Sequence, residues 1–408
     1  MTQTQDAIII GGSLAGASLA LAMARAGLRV TVIDALPRAT QMAAEFDGRS
    51  YALALASVRM LGALGLWGAL KADAQPMLHI RVTDGRAGEG PAPMSLHFDH
   101  GELEEGPMGH MVEDRFLRPA LLRALDGTPG ITHLDGTRVT AQDTGGAQAT
   151  VTLDDGTRLQ AQILIGADGR TGPVASRAGI ARHVTDYRQT ALVCAIAHEK
   201  PHHGTAHQFF MPPGPLAILP LQGNRSSIVW SERSEDAAAI QALGDADYLT
   251  VLRPRFGDFL GAITLEGARF TYPLNLTLAD RLTARRLALV GDSAHGMHPI
   301  AGQGLNAGLR DVAALAEVLV QAHRRGEDIG RADVLDRYAR WRRFDTATLA
   351  LATDTFNRLF SNDNPLLRLG RDLGLGLVGA TPLLRRAFMR EAAGLTGDLP
   401  LLLRGQPI

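Results

Sequence analysis

The sequence predicts an α/β fold in which a parallel sheet, built from separated parts of the chain, is interrupted by a mostly antiparallel one. Three observations carry that reading. First, apolar runs at Ala7 to Ile10, Ile163 to Ile165 and Leu287 to Val290 pass directly into "GGSLAG", "GADG" and "GDSAHG". Glycine turns of this kind close strands whose carboxyl ends meet ligands in open α/β sheets. Second, Ala17 to Ala26 is helix-forming and stopped by Gly27 before another apolar run, Val30 to Ile33, which makes a βαβ unit. Third, the hydrophobic period elsewhere changes to two. Val151 to Leu159 alternates around Asp154, Asp155 and Gly156, and "LAILPLQGNRSSIVWSE" reads as two strands joined at Gly223 and Asn224.

A chain of 408 residues exceeds what one hydrophobic core usually supports. We therefore expect a discontinuous nucleotide domain over 1–75, 100–177 and 274–355, a sheet domain over 76–99 and 178–273, and a helical region over 356–408. The longest apolar stretch, Ala52 to Leu70, carries Arg59 near its centre and reads as a packed helix rather than a membrane span. Leu309, Val312, Ala313, Ala316, Leu319 and Val320 recur at helical spacing and predict a long amphipathic helix. Met1 to Gln5 leaves no room for a secretory signal before the first strand. A formal net charge of -1 argues against nucleic acid, and the lone Cys194 excludes a disulfide framework or a cysteine-based metal site within one chain. The expected location is cytoplasmic.

In a dinucleotide fingerprint the first glycine permits the turn, the second lets backbone approach a pyrophosphate, and the third lets helix pack on strand. Here Gly11, Ser13 and Gly16 take those places, and Ser13 departs from the pattern. Amides at the helix start, at Leu14 and Ala15, would face the phosphates. Asp34, closing the second strand, is placed to accept from a ribose. Such a turn alone also arises for purely steric reasons. Further glycine loops favour FAD, because its ribityl chain and ring require a second protein segment. In "GDSAHGMHPIAGQGLN", Asp292 would take a ribityl hydroxyl. Gly302, Gly304, Leu305 and Asn306 would present a helix N-terminus to the negative charge of a reduced flavin, with Pro299 stiffening the approach.

Together "GGSLAG", "GADG" and "GDSAHGMHPIAGQGLNAGLRDVAALAEVL" resemble the class A FAD-dependent monooxygenases, whose Rossmann-like fold is that of para-hydroxybenzoate hydroxylase. The third motif and the closing stretches "LFSNDNPLLRLGRDLGLGLVG" and "FMREAAGLTGDLPLLLRG" resemble the ubiquinone-biosynthesis hydroxylases. The resemblance implies that Arg49, in "DGRSYAL", reaches the flavin, and that Asp168 and Gly169 serve both FAD and NAD(P)H. Two departures stand out: Gly172 replaces a frequent serine, and Asp114 stands where relatives often have Arg or Asn.

The resemblance further implies that NAD(P)H reduces FAD and that dioxygen forms a C4a-hydroperoxide, which hydroxylates an aromatic ring, here a polyprenylated phenol. His295 and His298, beside Pro299, are the candidate catalytic residues for deprotonating a phenol; the alternative is that they only hold the loop. No metal is expected, since the irregular spacing of His198, His202, His203 and His207 reads as a solvated loop. Cys194 reads as a small core residue. Arg358, Arg368, Arg371, Arg385, Arg386 and Arg390, interleaved with apolar residues, fit either an amphipathic surface on anionic lipid or helices packed on the nucleotide domain. A quinone-biosynthesis complex is a further possible partner. Two rival functions remain open at this stage: hydroxylation of a soluble aromatic, and a flavoprotein scaffold without turnover.

Overall fold

The computed structural model describes residues 5–43, 45–46, 48–88, 90–297, 303–343 and 380–408. Its first sheet places five strands parallel in the order Leu287–Leu289, Arg158–Gly166, Gln5–Ile10, Val30–Ile33 and Ile131–Leu134. Gln5–Ile10 is central and is apolar because both faces are covered: Ala7 and Ile9 join one core cluster, Ile8 and Ile10 the other. Ile10 pairs with both Ile33 and Gly166, and Gly166 pairs with Leu289. The turns following these four strands therefore lie at one edge of one sheet.

Leu14–Arg25 packs on one side of this sheet beside the long helix Gln303–Arg324 and helix Asp114–Gly127. The first of these helices begins at Leu14, three residues earlier than its composition indicates. Ala52 to Leu70 departs further from expectation. Its first three residues complete strand Ser50–Ala54, which pairs with Gly109–Glu113, and the helix starts at Leu55 and breaks at Ala63. An apolar run cannot reveal by itself that a distant strand will recruit its beginning.

The second sheet has eight strands, in the order His295–Gly296, Ile263–Ala279, Arg182–His198, Arg225–Arg233, Leu216–Leu221, Thr205–Phe210, His79–Arg86 and Gly90–Asp99. All its pairings are antiparallel except that of Thr205–Phe210 with His79–Arg86. Helices Ser234–Gln241 and Asp245–Phe256 cover one face through Leu192, Cys194, Ile196, Ile228 and Trp230. The opposite face turns Ala195, Ala206 and Leu221 toward Met77 and Met111 of the small third sheet and toward Ala52. Among the described residues, no helix is long and apolar enough to cross a membrane.

Candidate flavin site

Three turns that are far apart in sequence meet at the carboxyl edge of the parallel sheet. Gly11 adopts φ +102°, and a Cβ there would lie 2.2 Å from the Ala167 carbonyl oxygen. A Cβ on Gly16 would lie 1.9 Å from the Gly11 carbonyl oxygen, so the helix start sits directly on the strand end. The "GD" turn completes the group: a Cβ on Gly291 would stand 3.4 Å from that of Ala15, and one on Gly308 would stand 3.1 Å from the Gly291 Cα. Only bare backbone fits so many close approaches.

Ser13 is the N-cap of Leu14–Arg25, yet its side chain caps no amide, and no acidic residue occupies the first turn. The helix tip is thus open to an anion. Arg118 Nη1 donates to Ser13 Oγ at 3.2 Å, which brings a cation to the same place. Asp114 holds that arginine by two bonds of 3.1 and 3.0 Å, accepts from Tyr51 Oη at 2.9 Å, and lies 3.4 Å from Arg49 Nη2. Burial, then the charge of Asp114, push the Tyr51 phenol well above its usual range, so it is a neutral donor. Sequence reading missed Arg118; its signal was a charged residue four positions after Asp114 on one helix face.

Asp34 is buried, and its two oxygens accept from Gly12 N and Leu36 N, both at 2.8 Å. Each oxygen retains a second lone pair for a ribose hydroxyl. Asp292 presents a carboxylate with 43 % of its side chain exposed, bonded to Arg170 Nε at 2.9 Å. Asp168 has structural partners in addition to its expected place at the cofactor. Its oxygens take Val174 N at 2.9 Å and Ser293 Oγ at 2.6 Å, so it ties the "GADG" loop to the "GD" turn. Arg182 adds bonds to Ser293 O and Gly172 O. The departure at Gly172 has a steric reason: a Cβ there would lie 2.0 Å from Asp168 Cγ.

Asn306, in the first turn of the long helix, has structural partners as well. Its amide donates to Ala52 O at 2.9 Å and accepts from Ala54 N at 2.9 Å and Ser57 Oγ at 2.8 Å, pinning strand Ser50–Ala54 to the long helix. Space around Gly304 is open, and Leu305 is half-buried against the main core. His295 is wholly buried, with Nε2 2.6 Å from Asp311 Oδ2, which favours the loop-holding alternative. His298, Pro299 and Gly302 lie outside the described residues.

Of the four histidines from His198 to His207, His203 is exposed in a turn, whereas two others are held by hydrogen bonds. His198 bonds Lys200 O and Ser226 Oγ, and His202 bonds Leu221 O and Gly204 N. Among the described residues no His, Cys, Asp or Glu cluster could hold a metal.

The FAD binding domain family matches residues 4–351. The chain belongs to that family. It is 46% identical over 408 residues to the ubiquinone hydroxylase UbiL of Rhodospirillum rubrum, covering 99% of this chain and 93% of that protein. It is 34% identical to the 3-demethoxyubiquinol 3-hydroxylase of Escherichia coli, covering 96% of this chain and 99% of that one. The p-nitrophenol 4-monooxygenase of Pseudomonas putida DLL-E4 shares the fold, with a TM-score of 0.80 at 19% identity over 97% and 99% of the two chains. As a family member the chain is an FAD-dependent monooxygenase with NAD(P)H as co-substrate. Its residues fit FAD: an uncapped helix tip, a cation at Arg118 and glycine cradles where any side chain would collide.

Proposed function

We propose that this monooxygenase hydroxylates the ring of a polyprenylated phenol on the route to ubiquinone. The relatives named above carry hydroxylase names of that chemistry over nearly their whole length. The observation that carries the reading is the meeting of the Gly11, Ala167 and Gly291 turns at the carboxyl edge of the parallel sheet, where a flavin would lie.

Bound FAD supplies the oxygen-activating chemistry, and the chain supplies position and dryness. In this reading Gly11, Ser13, Leu14, Ala15 and Gly16 receive the pyrophosphate, with Arg118 beside them. Asp34 takes the ribose, Asp292 a ribityl hydroxyl, and the start of the Gln303–Arg324 helix offsets charge on the reduced ring. Arg49 keeps a guanidinium at the surface, with 42 % of its side chain exposed, where it could meet NAD(P)H.

A lipid substrate requires contact with a bilayer or a carrier. Helix Pro382–Ala392 supports the first: Leu383, Leu384 and Phe388 are exposed along one side, and Arg386 is exposed next to them. Arg385 and Arg390 are instead bonded to Glu102 and Glu105, which fixes the helix to the protein. The decisive experiment reconstitutes the protein with FAD and follows NADPH oxidation. A prenylated phenol should accelerate oxidation and gain one oxygen by mass spectrometry. A soluble phenol that does so while the prenylated one does not supports the rival hydroxylase, and stimulation by neither supports the scaffold.

A further inference from the structure

We infer that Asp311 is a positioning residue for FAD, acting through Asp292, and that Arg342 anchors it from the helix spanning 332–343. Asp311 lies on Gln303–Arg324, and its side chain is entirely buried. One carboxylate oxygen takes both ends of the "GD" turn: Gly291 N donates to Oδ2 at 2.9 Å, and His295 Nε2 lies 2.6 Å from the same atom. The other oxygen accepts from Arg342 Nε at 2.7 Å. Asp292 sits between the two clamped points and is the residue of this cluster that reaches solvent. The clamps fix the backbone from which its carboxylate projects, and Arg170 Nε donates to that carboxylate at 2.9 Å.

The surroundings make the clamp stiff. Gly291 holds φ +59° with the bare Gly308 against it, and Tyr338, one turn before Arg342, donates to Leu289 O at 2.8 Å. The 332–343 helix therefore grips the strand before the turn and the carboxylate beneath it. Burial disfavours the His295 imidazolium, but Asp311 outweighs it and raises its pKa; Asp311 is itself lowered, because His295 and Arg342 outweigh its desolvation. An amide in place of Asp311 would face these donors with a single acceptor oxygen and lose at least one bond.

The inference rests on Asp292 as an FAD contact, and the experiment separates the two. FAD affinity is measured by fluorescence quenching for wild type, Asp292→Asn, Asp311→Asn and the double variant, with visible circular dichroism of the bound flavin. Asp292→Asn should weaken FAD about tenfold or more. Asp311→Asn should weaken it similarly in the wild-type background, and by less than about threefold when Asp292 is already Asn, with an altered flavin spectrum. Wild-type affinity in Asp292→Asn removes the assignment of Asp292. Full additivity of the two changes overturns the role of Asp311. Should Asp311→Asn not fold, Arg342→Lys takes its place in the same cycle and is read by the same rule.

Discussion

Gly16→Ala tests whether the helix tip faces a pyrophosphate. The added Cβ would stand 1.9 Å from the Gly11 carbonyl oxygen, where real Cβ contacts stay above 3.0 Å, so strand end and helix start must part by about 1.1 Å. With about half a charge at the tip and a phosphate about 3.5 Å away, that parting costs roughly 0.6 kcal/mol at an effective dielectric of about 20. Loss of one charge-assisted amide bond adds roughly 1.5–3 kcal/mol. The expected sum is about 2–3.6 kcal/mol, or FAD binding about 30- to 450-fold weaker. Titration of apoprotein with FAD measures it, alongside a melting curve. Gly62→Ala is the control: it is helical with nothing within 4 Å, and should leave FAD affinity untouched. A Gly16→Ala protein that melts earlier but binds FAD within threefold of wild type would refute the placement of the phosphates at this helix.

Arg118→Met should weaken FAD about tenfold and flatten the salt dependence of its dissociation constant, since a cation leaves the helix tip; an unchanged salt slope places Arg118 outside the cofactor's field. His295 titrates above the usual histidine range, so its contact with Asp311 contributes fully below about pH 6.5 and is lost as pH rises through the folded value. The melting-temperature gap between wild type and His295→Gln should therefore be widest near pH 6 and narrow toward alkaline pH; a widening gap contradicts the ion pair. Burial, against a smaller opposing effect of the Tyr248 hydroxyl, pushes the Cys194 thiol up to about 12. Ellman's reagent should leave it unmodified in the native protein and react fully in denaturant, and rapid native modification would contradict the packing.

What the sequence revealed is what backbone geometry demands locally. A strand running into glycine, then a helix, is a short-range pattern, and Ile10, Gly11 and Gly16 show it because a Cβ at either glycine would collide with backbone. The partners of charged side chains stayed hidden, since they come together only in the fold. Asp311 and Arg342 are 31 positions apart on different helices, and each alone resembles an ordinary solvated residue of an amphipathic helix. Asp168 and Asn306 were singled out for the motifs around them, and the bonds of their side chains, which join loop to loop and strand to helix, could not be read from those motifs. A motif therefore locates a site better than it divides the labour within it.

That division has a mechanical consequence for coupling cofactor to substrate. His295 and Gly296 follow the Asp292 turn by only a few residues, yet they pair with Leu278 and Thr277 and form the edge of the antiparallel sheet. The same short segment is fixed to the parallel-sheet unit by Asp311 and by the Asp168–Ser293 bond. A shift of the antiparallel sheet against the parallel one would have to stretch these pairings or carry the Asp292 turn with it. Packed elements and buried hydrogen bonds resist small continuous deformation, so the antiparallel sheet and the Asp292 turn move as one body. On the proposed function, the geometry between substrate and FAD would then be set by the fold itself.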